Sequence, residues 1–298
     1  MSKLTSYSPL RYPGGKGKMA SFLEKTILLN NLDDCTLVEI YAGGAGASLK
    51  LLLEGICKKL ILNDFDPHIY AFWKVLFYQT DELLEKIHKT KVSIENWHEQ
   101  KQIYTSYDNY SDVEVAFSTF YLNRTNRSGI LAKAGPIGGY DQKGNYKLDV
   151  RFNKQELTRR IGSIAKFRDK VEIFNKDGIE LVKELYSTIK EKYFIFLDPP
   201  YYNQGKNLYL NFYNNEDHLK LASILELYNN RDWLLTYDNC PEIKEMYKKF
   251  RSSDINMTYT LQDKKQAKEI MIVSDSLHLP KTMKLGSNNM SLSLSITE

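Results

Sequence analysis

An acidic residue, two prolines and a tyrosine directly follow a strongly apolar run in this 298-residue chain. The run is Tyr193 to Leu197, and the tetrapeptide is Asp198, Pro199, Pro200 and Tyr201. Two prolines cannot continue a central strand, so they end it in a rigid turn. An amine on an aromatic ring is a poor nucleophile because its lone pair is delocalised, and a carboxylate and a carbonyl aimed at its N–H groups would counter this. The motif therefore predicts activation of an aryl amine such as the amino group of adenine. Tyr201 can stack on the flipped base that carries this amine.

A glycine-rich loop forms the second motif. It reads Tyr41-Ala-Gly-Gly-Ala-Gly and lies between an apolar run, Thr36 to Ile40, and a helical pattern. Small residues let the backbone approach a ligand, and the following helix offers free N–H groups. Asp64, eighteen residues past Gly46, is placed to bind the two hydroxyls of a ribose. Because the G-x-G-x-x-G spacing and a P-loop lysine are both missing, the loop indicates a nucleoside cofactor without a pyrophosphate.

The elements that must position these motifs alternate between short apolar runs and helices at both ends of the chain. This alternation is typical of parallel βαβ units. The middle of the chain is helical and aromatic-rich, then glycine-rich from 121 to 144, and then a basic amphipathic helix at 153–169. We therefore expect an α/β fold with a doubly wound sheet from residues 1–66 and 171–274, a mainly helical insertion at 67–170 and a loosely ordered tail at 275–298.

Positive charge is concentrated in the insertion. The whole chain carries a formal charge of +4, but the segment from Tyr121 to Lys170 holds twelve Lys or Arg against four Asp or Glu. A basic segment in an otherwise slightly acidic chain is typical of a surface that binds a polyanion. A solvated helical face would explain the charge equally well, so charge alone leaves both interpretations open.

Composition excludes several classes of protein. The chain is 42% hydrophobic and 26% charged, which excludes collagen, coiled coil and wholesale disorder. No apolar stretch approaches the roughly 20 residues of a membrane span, and the polar N-terminus is unlike a signal peptide, so we expect a cytoplasmic protein. The three cysteines and five histidines show no metal-ligand spacing, so we expect packed thiols, a packed or capping His218 and no metal. The lack of a Pro-Cys dipeptide argues against covalent attack on a cytosine ring.

Taken together, these motifs resemble the Dam-like class of DNA adenine methyltransferases, over nearly the whole chain to about residue 274. The likeness is carried by RYPGGKGK, EIYAGGAGASL, Asn63-Asp64, NRTNRSGI, DVRFNK, VEIFNKDG, FLDPPYYNQGKNLY and WLLTYDN, in the family's order. The resemblance implies a Rossmann-like methyltransferase sheet, a DNA-recognition insertion and S-adenosylmethionine as cofactor. It also implies a monomer that acts on a flipped adenine in duplex DNA, either as an orphan methylase or beside a cognate restriction endonuclease.

The same resemblance assigns residues. It implies that Asp198 and the backbone of Pro199 bind the target amine. The cofactor-binding residues that it implies are Tyr12, Lys16, Tyr41, Gly43, Gly44, Asp64, Asp177 and Asp198. Asn123, Arg124, Asn126 and Arg127 lie in a segment that resembles the family's DNA-contacting hairpin. We expect Lys133, Lys143, Lys147 and Arg151 to contact the DNA backbone, which gives affinity and salt dependence without sequence choice. The chain departs from the family where Ile40-Tyr41 replaces a frequent Pro-Phe, Ala45 replaces a glycine and Gly178 replaces a common phenylalanine.

Two other interpretations of the motifs stay open. One is a related active site that methylates RNA or a protein glutamine, although the glutamine enzymes usually resemble NPPY rather than DPPY. The other is a DNA-binding regulator that keeps the fold without turnover. The presence of both Asp64 and Asp198 favours an active enzyme over the regulator.

Overall fold

The computed structural model describes residues 7–12, 15–188, 190–203, 213–260, 264–285 and 288–291. Within them, one sheet contains seven strands: β1 (Thr36–Glu39), β2 (Lys59–Asn63), β3 (Val171–Phe174), β4 (Tyr193–Leu197), β5 (Trp233–Asp238), β6 (Arg251–Thr260) and β7 (Lys264–Val273). Their order is β3-β2-β1-β4-β5-β7-β6. Strands β1 to β5 pair in parallel, and β7 pairs antiparallel with β5 and β6. The predicted doubly wound, Rossmann-like α/β fold is therefore confirmed.

The helices of the described residues lie on both faces of this sheet. They are α1 (Ala20–Leu29), α2 (Gly46–Leu53), α3 (Pro67–Tyr78), α4 (Thr80–Lys89), α5 (Ile94–Thr105), α6 (Asp112–Thr125), α7 (Lys154–Ala165), α8 (Gly178–Thr188), α9 (Asn215–Leu227) and α10 (Pro241–Met246). Local sequence sets several of their starts. Asp66 caps α3 with Pro67 in the first turn, and Ser111 and Glu114 form a capping box on α6. Asn214 caps α9, where it forms a capping box with Asp217.

Strand order fixes where a ligand can bind. Strand β1 lies between β2 and β4. Strands β2 and β3 extend the sheet on one side of β1, and β4 and β5 extend it on the other side, so the strand order reverses at β1. In open parallel sheets this reversal opens a crevice beyond the carboxyl ends of the strands. Glu39 ends β1, and Asp198 directly follows β4, so both lie at that edge.

The two faces of the sheet bury different cores, because successive side chains along a strand point in opposite directions. Leu37 of β1 belongs to a core that also contains Phe72 and Phe120 of the insertion. Val38, the next residue, belongs to a second core that contains Ile179 of α8. The insertion therefore shares a core with the sheet rather than packing around one of its own.

Two segments differ from the sequence-based expectation. Helix α6 continues to Thr125, although the glycine-rich segment from 121 to 144 predicted a loop there; its glycines begin only at Gly129, and the side chains from Tyr121 to Thr125 are buried. The tail, expected to be loosely ordered, contains a pair of antiparallel strands, β8 (Thr282–Leu285) and β9 (Asn288–Ser291). Leu277 of the tail is buried, and the backbone N–H of His278 donates to Oδ1 of Asn30 at 2.7 Å.

The side chains that could have carried other chemistry are accounted for within the described residues. All three cysteines are free and buried, in agreement with packed thiols. In the same ranges, no cluster of three His, Cys, Asp or Glu side chains is arranged to hold a metal ion. None of the helices described is both long and apolar enough to cross a membrane.

Candidate active site

A cavity of about 1150 Å³, part of it open to solvent, lies at the carboxyl edge of the sheet beside β1 and β4. The ends of β1, β2 and β4, the start of α8 and a loop of the insertion at residues 129–132 line it. The structure brings together every cofactor-binding residue that the sequence implied. Those that line the cavity are Tyr12, Lys16, Tyr41, Gly43, Gly44, Asp64, Asp177 and Asp198.

The glycine loop is packed against an aromatic ring. Gly43 has a positive φ of 45°, and a Cβ atom added there would lie 2.7 Å from the ring of Tyr12. A Cβ atom on Gly44 would lie 2.9 Å from Cβ of the same tyrosine. Trp73 of α3 donates from Nε1 to the carbonyl of Gly43 at 2.9 Å. The two glycines are therefore required by the close approach of Tyr12 to the loop, and a side chain there would displace a wall of the cavity.

Asp64 is held by backbone N–H groups. Its Oδ2 accepts from Gly43 at 2.8 Å, and its Oδ1 accepts from Asp66 at 3.0 Å. Burial, and next the charge of Asp66, raise the pKa of Asp64 to about 7 despite these two hydrogen bonds. The neighbouring Asn63, which is buried, donates to the carbonyls of Ile40 and Lys176 at 2.9 and 3.0 Å. Asn63, at the end of β2, thus links the segment that follows β1 to the segment that precedes α8.

Tyr41 and Gly178, both departures from the family pattern, are complementary. A Cβ atom on Gly178 would lie 2.8 Å from ring atoms and the hydroxyl of Tyr41. The Tyr41 hydroxyl is 2.8 Å from that of Tyr213, and both rings line the cavity. Asp177 caps α8 with Oδ1, which accepts the N–H of Ile179 at 2.9 Å. Tyr41 therefore occupies space that a larger residue at position 178 would fill.

The predicted catalytic carboxylate is held from two sides. Oδ1 of Asp198 accepts from the hydroxyl of Thr236 at 2.7 Å, and Oδ2 accepts from Nζ of Lys16 at 2.8 Å. Nζ of Lys16 also donates to the hydroxyl of Tyr201 at 2.8 Å, and Tyr201 in turn donates to the buried Glu269 of β7. Of the tetrapeptide, Asp198 and Pro200 line the cavity. The Tyr201 ring lies 5.2 Å from Nζ of Lys16.

The turn after the tetrapeptide is fixed by Asp238 at the end of β5. Its two carboxylate oxygens accept the backbone N–H groups of Tyr202 and Asn203, each at 2.9 Å. His218 is buried, as a packing role predicts, and its Nδ1 lies 2.7 Å from the hydroxyl of Tyr237. The Asp238 contacts support the backbone that follows the Asp198-Pro-Pro-Tyr tetrapeptide.

The cavity wall is acidic. Its ionisable acidic and basic residues are Lys16 and five carboxyl residues, which are Glu39, Asp64, Asp66, Asp177 and Asp198. Burial, and then the charges of Asp198 and Asp64, raise the pKa of Glu39 to about 8. Oε2 of Glu39 is buried and has no hydrogen-bond partner in the described part of the chain. Such a wall favours a cationic ligand that can donate hydrogen bonds.

Several site residues were not predicted. They are Glu39, Asn63 as a joining residue, Thr236, Asp238 and Glu269. Three of them stand at the last position of a strand in the parallel part of the sheet, namely Glu39, Asn63 and Asp238. Polar residues at such positions were the available signal, because ligands bind beyond these ends. Nothing in the sequence places Glu269, which is central in the antiparallel β7, near the site.

The residues expected to contact DNA fall into two groups. The exposed group consists of Arg127, Lys133, Lys143, Lys147 and Arg151. Asn123, Arg124 and Asn126 are instead buried, contrary to the expectation of DNA contact. Oδ1 of Asn126 accepts from Nε1 of Trp97 at 2.7 Å, and its Nδ2 donates to the carbonyl of Ile130 at 2.7 Å. Asn126 therefore fixes the insertion loop that lines the cavity.

Arg124 supports the N-terminal segment. It donates from Nη2 to the carbonyl of Pro9, while Arg160 donates from Nη1 to the carbonyl of Ser8 at 2.7 Å. Burial, and next the like charge of Arg160, lower the pKa of Arg124 to about 9. The structure thus assigns the buried part of the NRTN segment to positioning, because its polar atoms bond to backbone inside the protein.

Comparison with solved structures adds no argument. Protein LPL1258 from Legionella pneumophila str. Philadelphia 1, described as family-model DUF519, matches with a TM-score of 0.31 and 12% identity. The match covers 90% of this chain and 86% of that chain. A score at this level supports no conclusion about fold or function.

Sequence comparison is decisive for the family. The chain is 24% identical over 249 residues to the Type II methyltransferase M.MjaIII of Methanocaldococcus jannaschii (strain ATCC 43067 / DSM 2661 / JAL-1 / JCM 10045 / NBRC 100440), covering 77% of this chain and 83% of that protein. A family model matches residues 12–261, which include both the cavity-lining motifs and the tetrapeptide Asp198-Pro-Pro-Tyr. The resemblance inferred from the motifs is confirmed: the chain belongs to the D12 class N6 adenine-specific DNA methyltransferases.

Proposed function

We propose that this enzyme transfers a methyl group from S-adenosylmethionine to the exocyclic amine of a flipped adenine at a specific site in duplex DNA. The observation that carries the proposal is the environment of Asp198. Its Oδ2 accepts a hydrogen bond from an ammonium N–H inside the cavity that also contains the glycine loop and Asp64. An acceptor for N–H donors and a nucleoside site therefore share one cavity.

The residues of the cavity fit this cofactor. Oε2 of Glu39, buried and without a partner among the described residues, suits the cofactor's ammonium group. Asp64 would hold the ribose hydroxyls, and Tyr41 with Asp177 would hold the adenine. The acidic wall suits the positive charge of a sulfonium. When bound, the cofactor supplies a methyl group activated by that sulfonium.

The protein's own residues prepare the nucleophile. Asp198 accepts one N–H of the target amine and the carbonyl of Pro199 accepts the other, which draws the nitrogen lone pair out of the ring. Thr236 and the diproline turn hold the carboxylate in place, so little reorganisation is needed during reaction. Positive charge develops on the nitrogen as the new bond forms, and the carboxylate of Asp198 stabilises it. Tyr201 stacks on the flipped base.

The exposed basic residues of the insertion would bind the DNA backbone. Arg127, Lys133, Lys143, Lys147 and Arg151 are exposed and provide the positive charge. Lys133 directly follows the loop at residues 129–132 that lines the cavity, and Arg127 lies two residues before that loop. The similarity to a protein named a Type II methyltransferase supports a role in restriction-modification beside a cognate endonuclease.

The test is methyl transfer from radiolabelled S-adenosylmethionine to unmethylated plasmid DNA, followed by identification of the methylated nucleoside. We expect label only in N6-methyladenine, at positions that share a sequence. Label in RNA, in a protein glutamine or in cytosine would contradict the proposal. Cofactor binding and DNA binding without any transfer would identify a regulator instead.

A further inference from the structure

A cluster of buried charges lies at the catalytic carboxylate. Nζ of Lys16 is 2.8 Å from Oδ2 of Asp198 and 3.7 Å from Oε1 of Glu269. The side chains of Lys16 and Glu269 are 2% and 0% exposed. Tyr201 joins the cluster, since its hydroxyl accepts from Lys16 and donates to Glu269. One ammonium group therefore serves two carboxylates.

The energetics of burial explain why the lysine is shared. A buried carboxylate without a cation or hydrogen bonds is strongly destabilising, and so is the removal of one partner of a buried pair. Lys16 is the cation that the structure places within salt-bridge distance of both carboxylates. The cluster is therefore held together by the position of Lys16 between Asp198 and Glu269.

This arrangement affects the chemistry proposed above. Oδ1 of Asp198 accepts from Thr236, and Oδ2 accepts from Lys16. The target amine must donate to the same carboxylate, and an ammonium held at 2.8 Å from Oδ2 neutralises its negative charge and weakens it as an acceptor for that amine. If Lys16 left Asp198 for an apolar site, its buried charge would be uncompensated, and the entry of the base would be strongly opposed.

The carboxylate of Glu269 offers the ammonium of Lys16 a second acceptor, and the ammonium stays buried when it uses it. We propose that Glu269 receives Lys16 when the target adenine takes its place on Asp198. This inference rests on the proposed function. Glu269 is a positioning residue: it lies outside the set of residues that line the cavity, and it acts through Lys16 and Tyr201. Its carboxylate frees Asp198 for the target amine and holds the hydroxyl of the tyrosine that stacks on the base.

A double-mutant cycle tests this role. Glu269→Gln keeps a hydrogen-bond acceptor for Tyr201 but removes the charge that receives Lys16. The lysine then stays on Asp198, and we expect single-turnover methyl transfer to fall about 10-fold or more, with cofactor affinity changed less than about 3-fold. In the Lys16→Met background Glu269 has no ammonium to receive, so the same Glu269→Gln change should lower the rate of single-turnover methyl transfer by less than about 3-fold.

Asp254→Asn is the matched control. Asp254 lies on β6, in the same antiparallel hairpin as Glu269, but it is exposed and pairs with Lys244 at 3.2 Å. We expect its transfer rate to equal that of the wild type. If Glu269→Gln prevents folding, as shown by the loss of a cooperative thermal unfolding transition, the cycle is run with Glu269→Asp, which keeps the charge but shortens its reach. A smaller loss with the same dependence on Lys16 is then expected.

The outcomes of the cycle separate the role of Glu269 from the proposed function. If Glu269→Gln causes an equal loss with Lys16 present and in the Lys16→Met background, the two substitutions are additive. That result would overturn the role of Glu269 while adenine methylation stands. No change on Glu269→Gln in the wild-type background would overturn it as well. Failure of the wild-type chain to methylate adenine would instead overturn the proposed function.

Discussion

Arg11 and Asn123 exchange two hydrogen bonds although 112 residues separate them in sequence. The backbone N–H of Arg11 donates to Oδ1 of Asn123 at 2.7 Å, and Nδ2 of Asn123 donates to the carbonyl of Arg11 at 2.9 Å. The same Nδ2 lies 3.1 Å from the carbonyl of Gly129. Gly129 and Tyr12, the neighbour of Arg11, both line the cavity. One buried amide thus fixes two walls of the active site relative to each other.

Replacing that amide should damage the protein's stability rather than only its DNA contacts. Asn123→Ala leaves buried backbone groups of Arg11 and Gly129 without partners, and each such loss costs about 1–3 kcal/mol. We expect a lower melting temperature and weaker cofactor binding, measured by thermal unfolding and calorimetry. The control is Asn230→Ala at an exposed position, which should change neither. An unchanged melting temperature for Asn123→Ala would contradict the positioning role.

Two arginines of the insertion should behave differently. Arg127 is exposed, so Arg127→Ala should weaken DNA binding and reduce the salt slope by about 1 without affecting stability. Arg124 is buried against Pro9, so Arg124→Ala should lower the melting temperature even without DNA. Binding curves at several salt concentrations, together with thermal unfolding, separate the two effects.

The exposed Lys25 of α1 provides a control for charge alone. Lys25→Ala should leave the salt slope as it is in the wild type. If Arg127→Ala behaves like this control, the basic segment does not bind DNA through Arg127.

Asp198 should be essential for transfer and dispensable for DNA binding. Asp198→Ala removes the acceptor that Thr236 holds at 2.7 Å, and loss of one such aligned group typically lowers a rate about 10²–10³-fold. We expect single-turnover transfer to fall at least that far, while DNA affinity measured by fluorescence anisotropy changes little. Asp33→Ala at an exposed site is the control and should keep full activity. Substantial turnover by Asp198→Ala would remove Asp198 from the catalytic role.

The complementarity of Tyr41 and Gly178 predicts a size limit at position 178. Gly178→Ala places a Cβ atom 2.8 Å from Tyr41, so the ring must move within the cavity wall. We expect weaker binding of S-adenosylmethionine by about 10-fold, measured by calorimetry. Gly162→Ala is the matched control: it lies within α7, and a Cβ atom there meets nothing within 4 Å. Because alanine favours helices, this control should be neutral or stabilising by up to about 1 kcal/mol.

The buried Glu39 predicts how stability depends on pH. Burial raises its pKa to about 8, so the folded protein retains a proton that the unfolded chain releases near its ordinary pKa. Between about pH 5 and pH 8 the folded state binds more protons, and the free energy of unfolding must therefore fall as pH rises, by at most about 1.4 kcal/mol per pH unit for this group. Asp64, with a pKa raised to about 7, contributes in the same direction.

Denaturant titrations of the ligand-free protein at pH 5.5, 7.0 and 8.5 measure this slope. Glu39→Gln cannot titrate, so the slope should become flatter. Glu172→Gln, at an exposed position of β3, should keep the slope of the wild type. A Glu39→Gln slope equal to that of the wild type would contradict the assignment of this pH dependence to Glu39.

Sequence-based prediction worked best where local pattern and chemistry coincide. Asp64 and Asp198 follow short apolar strands, so their place at one sheet edge could be derived from strand direction alone. The NRTN segment was misjudged because polar residue types do not reveal burial: Asn123 donates to the carbonyl of Arg11, and Asn126 accepts from Trp97, and only the tertiary fold brings these partners together. Glu269 escaped prediction for the same reason, since its partners Lys16 and Tyr201 come from distant parts of the chain.

The central position of β1 has a consequence for synthesis on the ribosome. Its two neighbours are β2, at 59–63, and β4, at 193–197, so one edge of β1 lacks a partner until the whole insertion has been translated. An unpaired apolar strand edge is an aggregation hazard. The nascent chain thus carries an open hydrogen-bonding edge for more than a hundred residues, and it is during this interval that chaperone binding would matter most for the yield of folded enzyme.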